Sequence, residues 1–187
     1  FLELAGADTP VAIQGRSFVA QLADPSAKIC DFVFAERNWQ VEYCHERTLR
    51  YGSWSYYRNS APELAHFGYV NASFYEFSAY VDLWKKYRAD ELLTPIQESV
   101  FLNPRPREQL FNLAKDPMEV HDLANAPEHR EILKKLRKVM DRWMEHTGDT
   151  VPPPDDRTPD RHDRITGKRL HPGGHPGPEK YEFPGEA

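Results

Sequence analysis

The chain has 187 residues, 40% of them hydrophobic and 28% charged, and its 24 basic and 29 acidic residues leave a net charge of −5. That length and balance suit about one globular domain with a real core. The basic residues are dispersed among acids, so no stripe stands ready to neutralise a phosphate backbone and no nucleic acid is expected as a partner. No run approaches the ~20 apolar residues of a membrane-crossing helix, so no membrane span is expected.

Aromatic side chains are plentiful, with four Trp, nine Tyr and ten Phe. Their flat faces suit stacking on sugars, but filling a core is the competing and commoner use of such rings. Cys30 and Cys44 are too few for a disulfide framework. A single bridge between them and a pair of buried thiols are both open.

Phe1-Leu2-Glu3-Leu4-Ala5-Gly6 reads as the end of an amphipathic helix with its Gly stop and no N-cap before it, so the chain is expected to begin inside an element. Thr9-Pro10 and Gln14-Gly15 mark a loop, and Ser17 is a candidate N-cap for a short helix from Phe18 to Leu22. Asp31-Phe32-Val33-Phe34-Ala35 predicts a short buried strand. Residues 48–51 and 54–58 flank Gly52-Ser53, a two-residue turn between β-formers, and predict a hairpin. Phe74, Phe77, Val81 and Trp84 recur at helical spacing from Ser73 to about Arg88. A further strand is predicted from Glu108 to Asn112, and Asp116-Pro117 forces a turn. A helix is predicted from about Pro127 to Thr147, where Ile132, Leu133, Leu136, Val139, Met140, Trp143 and Met144 form one stripe and Gly148 ends it. Half of the sixteen prolines follow Gly148 among many charges, which predicts a disordered tail or a strap over a neighbouring surface.

Three ordered stretches resemble the sulfatase family. Leu2-Glu3-Leu4-Ala5-Gly6-Ala7 with Gln14-Gly15-Arg16-Ser17-Phe18 is similar to the segment "L-L-x-L-A-G … x-G-x-S-L" that closes the family's catalytic α/β domain. Val33-Phe34-Ala35-Glu36-Arg37-Asn38-Trp39, with residues 47–50 and 54–59, resembles the strand, loop and hairpin that enter its C-terminal subdomain. Residues 108–119, with His121-Asp122-Leu123-Ala124, resemble "E-L-Y-D-L-x-x-D-P-x-E-x-x-N-L-A", where Asp122 stands in place of the usual Asn. The segment Tyr69-Val70-Asn71-Ala72-Ser73-Phe74 and the aromatic helix after it look most like the sulfamidase (heparan N-sulfatase) branch.

The resemblance implies an α+β fold, a small antiparallel sheet packed against a long C-terminal helix and preceded by the last elements of an α/β catalytic domain. Residues 1–36 would end that catalytic domain, 37–148 would form the C-terminal subdomain, and 149–187 a Pro-rich polar tail. It also implies hydrolysis of sulfate esters or N-sulfate groups of sulfated glycans, with calcium and a formylglycine made from Cys or Ser in Cys-x-Pro-x-Arg. Neither Cys30 nor Cys44 is followed by Pro at the second position and Arg at the fourth, and no Asp-Asp pair stands before them. The catalytic group and the calcium ligands are therefore expected in a missing N-terminal part, and this chain alone is expected to be inactive. Family habit implies periplasm or cell exterior in bacteria, or lysosome in animals.

Substrate shaping is what the resemblance leaves to this chain. The loop after the Val-Phe strand offers Arg37, Asn38, Trp39 and Gln40, with His45, Glu46 and Arg47 close behind. Arginine grips a sulfate or a uronate carboxylate through charge-assisted bonds, and Trp39 suits a sugar ring. The opposing reading pairs Arg37 with Glu36 and packs Trp39 inward. His162, His171 and His175 lack a scaffold for a metal site and read as tail; Asn71-Ala72-Ser73 meets the glycosylation sequon. Two other functions stay open: a phosphate- or phosphonate-ester hydrolase on the same scaffold, and a non-catalytic binding domain derived from a sulfatase.

Overall fold

A computed structural model describes residues 1–11, 13, 15–39, 43–66 and 79–157. Its centre is a four-stranded antiparallel sheet in the order β1-β2-β3-β4, formed by Phe32–Trp39, Tyr43–Tyr51, Trp54–Asn59 and Glu108–Asn112. Among the described residues four α-helices accompany it: α1 (Val19–Ala23), α2 (Ala79–Arg88), α3 (Pro95–Ser99) and α4 (Arg130–Thr147). Among the described residues no helix is long and apolar enough to cross a membrane.

The strand pleat decides which residues meet α4. Pairing sets Phe34 opposite Leu49, Leu49 opposite Tyr56, and Tyr56 opposite Leu110, so these four form one row on one face. Leu133, Leu136 and Met140 of α4 close over that row, and Trp143 stacks on Phe34 at 4.9 Å between ring centroids. A 3-10 turn over Pro127–His129 leads into α4, and Gly148 ends it at φ +68°, a left-handed conformation that glycine adopts without penalty. This is the α+β arrangement that the sequence predicts, with the long helix across one face of the sheet.

The hairpin turns at Gly52, which also has positive φ. The Asp116 turn follows β4, and Asp122 then ties the returning chain to it. One Asp122 carboxylate oxygen accepts from Leu110 N at 3.0 Å and from Ala124 N at 2.9 Å. Only acceptor capacity is used there, so a carboxylate serves where the family pattern has an amide.

Several expectations are corrected. Residues 2–6 form hydrogen-bonded turns and not a helix, and they are exposed, because one turn with nothing packed on it does not propagate. The first short helix starts at Val19, one residue later than the spacing predicts, and Ser17 Oγ accepts from Val19 N at 3.2 Å. The apolar run at 31–35 is the edge strand β1 rather than a buried one: Phe32 and Phe34 face α4, while Val33 and Ala35 are exposed. A run that is apolar on both faces cannot say which face the rest of the chain will cover. Neither cysteine is in a disulfide; Cys44 is buried as expected, but Cys30 is exposed.

Of the helix expected from Ser73, the described part is α2, with Trp84 buried; Phe74, Phe77, the sequon at Asn71 and the segment 69–74 lie outside the described residues. The tail begins as a strap. Arg157 lies over the Tyr43 ring at 4.9 Å and pairs with Glu63 at 2.8 Å. His162, His171 and His175 fall outside the described residues.

Candidate functional site

The polar run 36–47 is divided between the two faces of the sheet by alternation. Register places Glu36 opposite Arg47, Arg47 opposite Arg58, and Arg58 opposite Glu108, a four-residue charged row beside the apolar row under α4. Arg37 lies opposite Glu46, and Glu46 opposite Asn59, forming a row on the opposite face. Consecutive residues thus enter different surroundings.

On the α4 side, Arg47 is 2% exposed. Its Nε and Nη2 donate to the two carboxylate oxygens of Asp149, both at 2.6 Å, in a bidentate pair. Its Nη1 donates to the Glu46 carbonyl at 2.9 Å and the Arg37 carbonyl at 3.4 Å, and Nη2 also meets His45 Nε2 at 2.9 Å. A guanidinium has five N–H groups, and these contacts engage all five. His45 is buried beside it. Since Arg47 only donates, His45 Nε2 is the acceptor, and the ring proton sits on Nδ1, 3.1 Å from Ser60 Oγ. Burial, with the Arg47 charge second, holds the His45 imidazole below its ordinary 6.5, so it is neutral at pH 7. Hydrogen bonds from Arg47 hold Asp149 below 3.8.

The same row continues to Arg58 and Glu108. Arg58 donates to Asp141 of α4 at 2.6 Å, and Arg137 of α4 makes a two-nitrogen contact with Glu108, which also accepts from Tyr56 OH. These groups fasten the helix to the sheet.

The opposite face is arranged differently. Glu46 stands between two arginines: its Oε2 accepts from Arg37 Nη1 at 3.3 Å and its Oε1 from Arg105 Nη1 at 2.5 Å. Burial alone would raise the Glu46 carboxyl, but Arg105 and then Arg37 outweigh it and hold the group below 4.5. Arg37 keeps 47% of its side chain exposed. Asn59, next in the row, is 8% exposed; its Oδ1 accepts from Ala61 N at 3.0 Å, while its Nδ2 has no hydrogen-bond partner.

The sequence-predicted site residues therefore separate. Arg37 and Asn38 are exposed on β1, with a register irregularity between Arg37 and Trp39. Trp39 pairs through its backbone with Tyr43; its side chain and Gln40 lie outside the described residues. His45 and Arg47 are buried under the end of α4. Arg37 pairs with Glu46, not with Glu36, because neighbours on a strand point to opposite faces. Sequence reasoning missed Arg105, Asn59 and Asp149. Arg105 did carry a signal, since Pro104 and Pro106 hold it in an extended segment whose Arg105 N bonds Pro62 O at 2.8 Å.

A calcium ion needs several oxygen ligands converging from carboxylates and carbonyls. Among the described residues no three or more of His, Cys, Asp and Glu come together in that way, and Cys44 is enclosed in the core. The donors among the described residues do not fit calcium.

Two ulvan-active sulfatases of Formosa agariphila are similar to the chain. One is 29% identical over 149 residues, which make up 79% of this chain and 24% of that protein. The chain resembles part of a sulfatase. The second ulvan-active sulfatase is 27% identical over 159 residues, covering 81% of this chain and 28% of its own length. The sulfatase-like chain thus spans about a quarter of the length of these curated relatives. No family model matches it. Among solved structures, a 2-O GAG sulfatase is 18% identical with a TM-score of 0.48, over 85% of this chain and 27% of that one.

Proposed function

We propose that this chain is the C-terminal part of a sulfatase that hydrolyses sulfate esters or N-sulfate groups of sulfated glycans. In this reading it shapes the substrate site, while the formylglycine and calcium belong to a catalytic α/β domain that it packs against. The observation that carries the reading is the similarity to two ulvan-active sulfatases over about four-fifths of the chain. The names of those relatives favour a polysaccharide sulfate ester over a sulfamate. Exposed apolar side chains at Phe1, Leu4, Val11, Phe18 and Leu22 suit contact with that second domain. The same reading implies the periplasm or cell exterior if the protein is bacterial, or the lysosome if it is animal.

Among the described members of the predicted set, Arg37 is best placed to meet substrate, being exposed and carrying uncommitted donors. His45 and Arg47 belong to this reading as positioning residues, which hold the end of α4 and, through the Arg37 carbonyl, the strand that presents Arg37. The full-length protein is expected to release sulfate from a sulfated polysaccharide and from an aryl sulfate. Release from neither, with release of phosphate from a phosphate ester, would replace this reading by the phosphohydrolase one.

A further inference from the structure

The donor inventory separates arginines that are already satisfied from those that can take a ligand. Arg47 has all five N–H groups engaged. Arg37 and Arg105 each engage one nitrogen, and both do so with the same carboxylate. The two guanidinium groups are thereby held in place by Glu46 with most of their donors uncommitted. Two cations around one anion leave a net positive charge. A third donor group stands in the same row, because Asn59 Nδ2 is nine-tenths buried and has no partner. A buried donor left unsatisfied is costly, and an incoming oxyanion would remove that cost.

We infer that Arg37, Asn59 and Arg105, arranged around Glu46, form an oxyanion subsite for an anionic sugar substituent, a sulfate or a uronate carboxylate. The inference rests on the proposed glycan substrate and extends it to a site on the sheet face away from α4. Glu46 acts as a positioning residue that fixes the spacing of the two arginines, so that less side-chain entropy is lost when the anion arrives. Asn59 adds a neutral donor, which discriminates by geometry where the arginines discriminate by charge. Arg37 also lies on the same strand as Asn38 and Trp39, so an anion held here would bring its sugar toward that end of β1.

The test is calorimetric binding to the full-length protein. Three probes are compared: a sulfated oligosaccharide without uronate, an unsulfated uronate oligosaccharide, and an uncharged oligosaccharide. Arg37→Ala, Arg105→Gln and Asn59→Asp are each expected to weaken binding of a charged probe about tenfold, equivalent to about 1.4 kcal/mol, and to leave the uncharged probe unchanged. Asn59→Asp preserves shape while placing a negative charge at the site, so it tests the subsite even if Arg105→Gln loosens the loop. Loss confined to the sulfated probe identifies a sulfate subsite, and loss confined to the uronate probe a carboxylate subsite. Unchanged affinity for both charged probes in Arg37→Ala and Asn59→Asp overturns the inference, as does equal weakening for the uncharged probe. Sulfate release by the same wild-type preparation tests the proposed function separately.

Discussion

Arg47 shows how one residue's role depends on a partner far along the chain. Asp149 lies 102 positions away and directly after the helix that covers the sheet, so the pair links β2 to the end of α4. Local sequence offered no sign of it; Arg47 reads as one of several basic residues in a polar run. A buried ion pair resists loss of one partner more than loss of both, because the survivor is left charged in a poor solvent. Asp149→Ala is therefore expected to destabilise the fold by about 3 kcal/mol. The double replacement Arg47→Met with Asp149→Ala should cost less than Asp149→Ala alone. Chemical denaturation of the three proteins, wild type included, checks this, and a larger loss in the double variant would contradict it.

His45 adds a pH dependence at the same place. It is faced by Arg47 on its own strand, by Ser60 after β3 and by Asp149 after α4. Its folded value lies below 6.5, so between 6.5 and that lower value the unfolded chain binds a proton that the folded chain does not. Stability contributed by the neutral imidazole is complete above 6.5 and falls as the pH drops through this window. Asp149 acts in a lower window: its contribution is present above 3.8 and is lost as the pH falls below that through its depressed folded value. His45→Gln should flatten the stability profile between pH 7 and 5 while leaving the fall below pH 4. Identical slopes in the upper window for both proteins would remove His45 from this account.

At the scale of elements, the sequence was most legible where periodicity and stop signals agreed. The α4 stripe placed Leu133, Leu136 and Met140 correctly in the core, and Gly148 marked the end. Gly52-Ser53 fixed the hairpin and so its register, which set every row of the sheet. The edge strand reads as buried in the sequence because Phe32 and Phe34 alternate with Val33 and Ala35, which are apolar but uncovered. α3 was missed although Thr94-Pro95-Ile96-Gln97 carries a complete capping box, with Thr94 Oγ accepting from Gln97 N and Gln97 Oε1 from Thr94 N. Its five residues are too few to show an apolar period. Leu136 is fully buried against Leu49, Tyr56 and Leu110. Leu136→Ala should cost roughly 2–5 kcal/mol, read as a lowered denaturation midpoint with an unchanged slope.

For the molecule as a whole, the sheet divides the work between its faces. One face is closed by α4 through an apolar row and a charged row, and its arginines are consumed in holding that closure. The other face carries Arg37, Glu46, Arg105 and Asn59, where donors remain. The candidate site was half legible in the sequence. Arg37 and the strand that presents it could be named from the motif, whereas Arg105 and Asn59 join it only through strand pairing and a loop crossing. His45 and Arg47 lie close to Arg37 in sequence, but the pleat sends them to the other face, where both are buried.

We propose that this chain contributes substrate recognition, not bond cleavage, to a sulfatase. Steady-state kinetics of the full-length protein with Arg37→Ala, on a sulfated polysaccharide and on a small aryl sulfate, tests it most directly. The expected result is sulfate release from both substrates by the wild type, and in the variant a rise in KM of about tenfold for the polysaccharide that exceeds any rise for the aryl sulfate, consistent with one lost charge-assisted contact. Equal changes for the two substrates would place Arg37 in folding, and a wild type that releases sulfate from neither would contradict the claim itself.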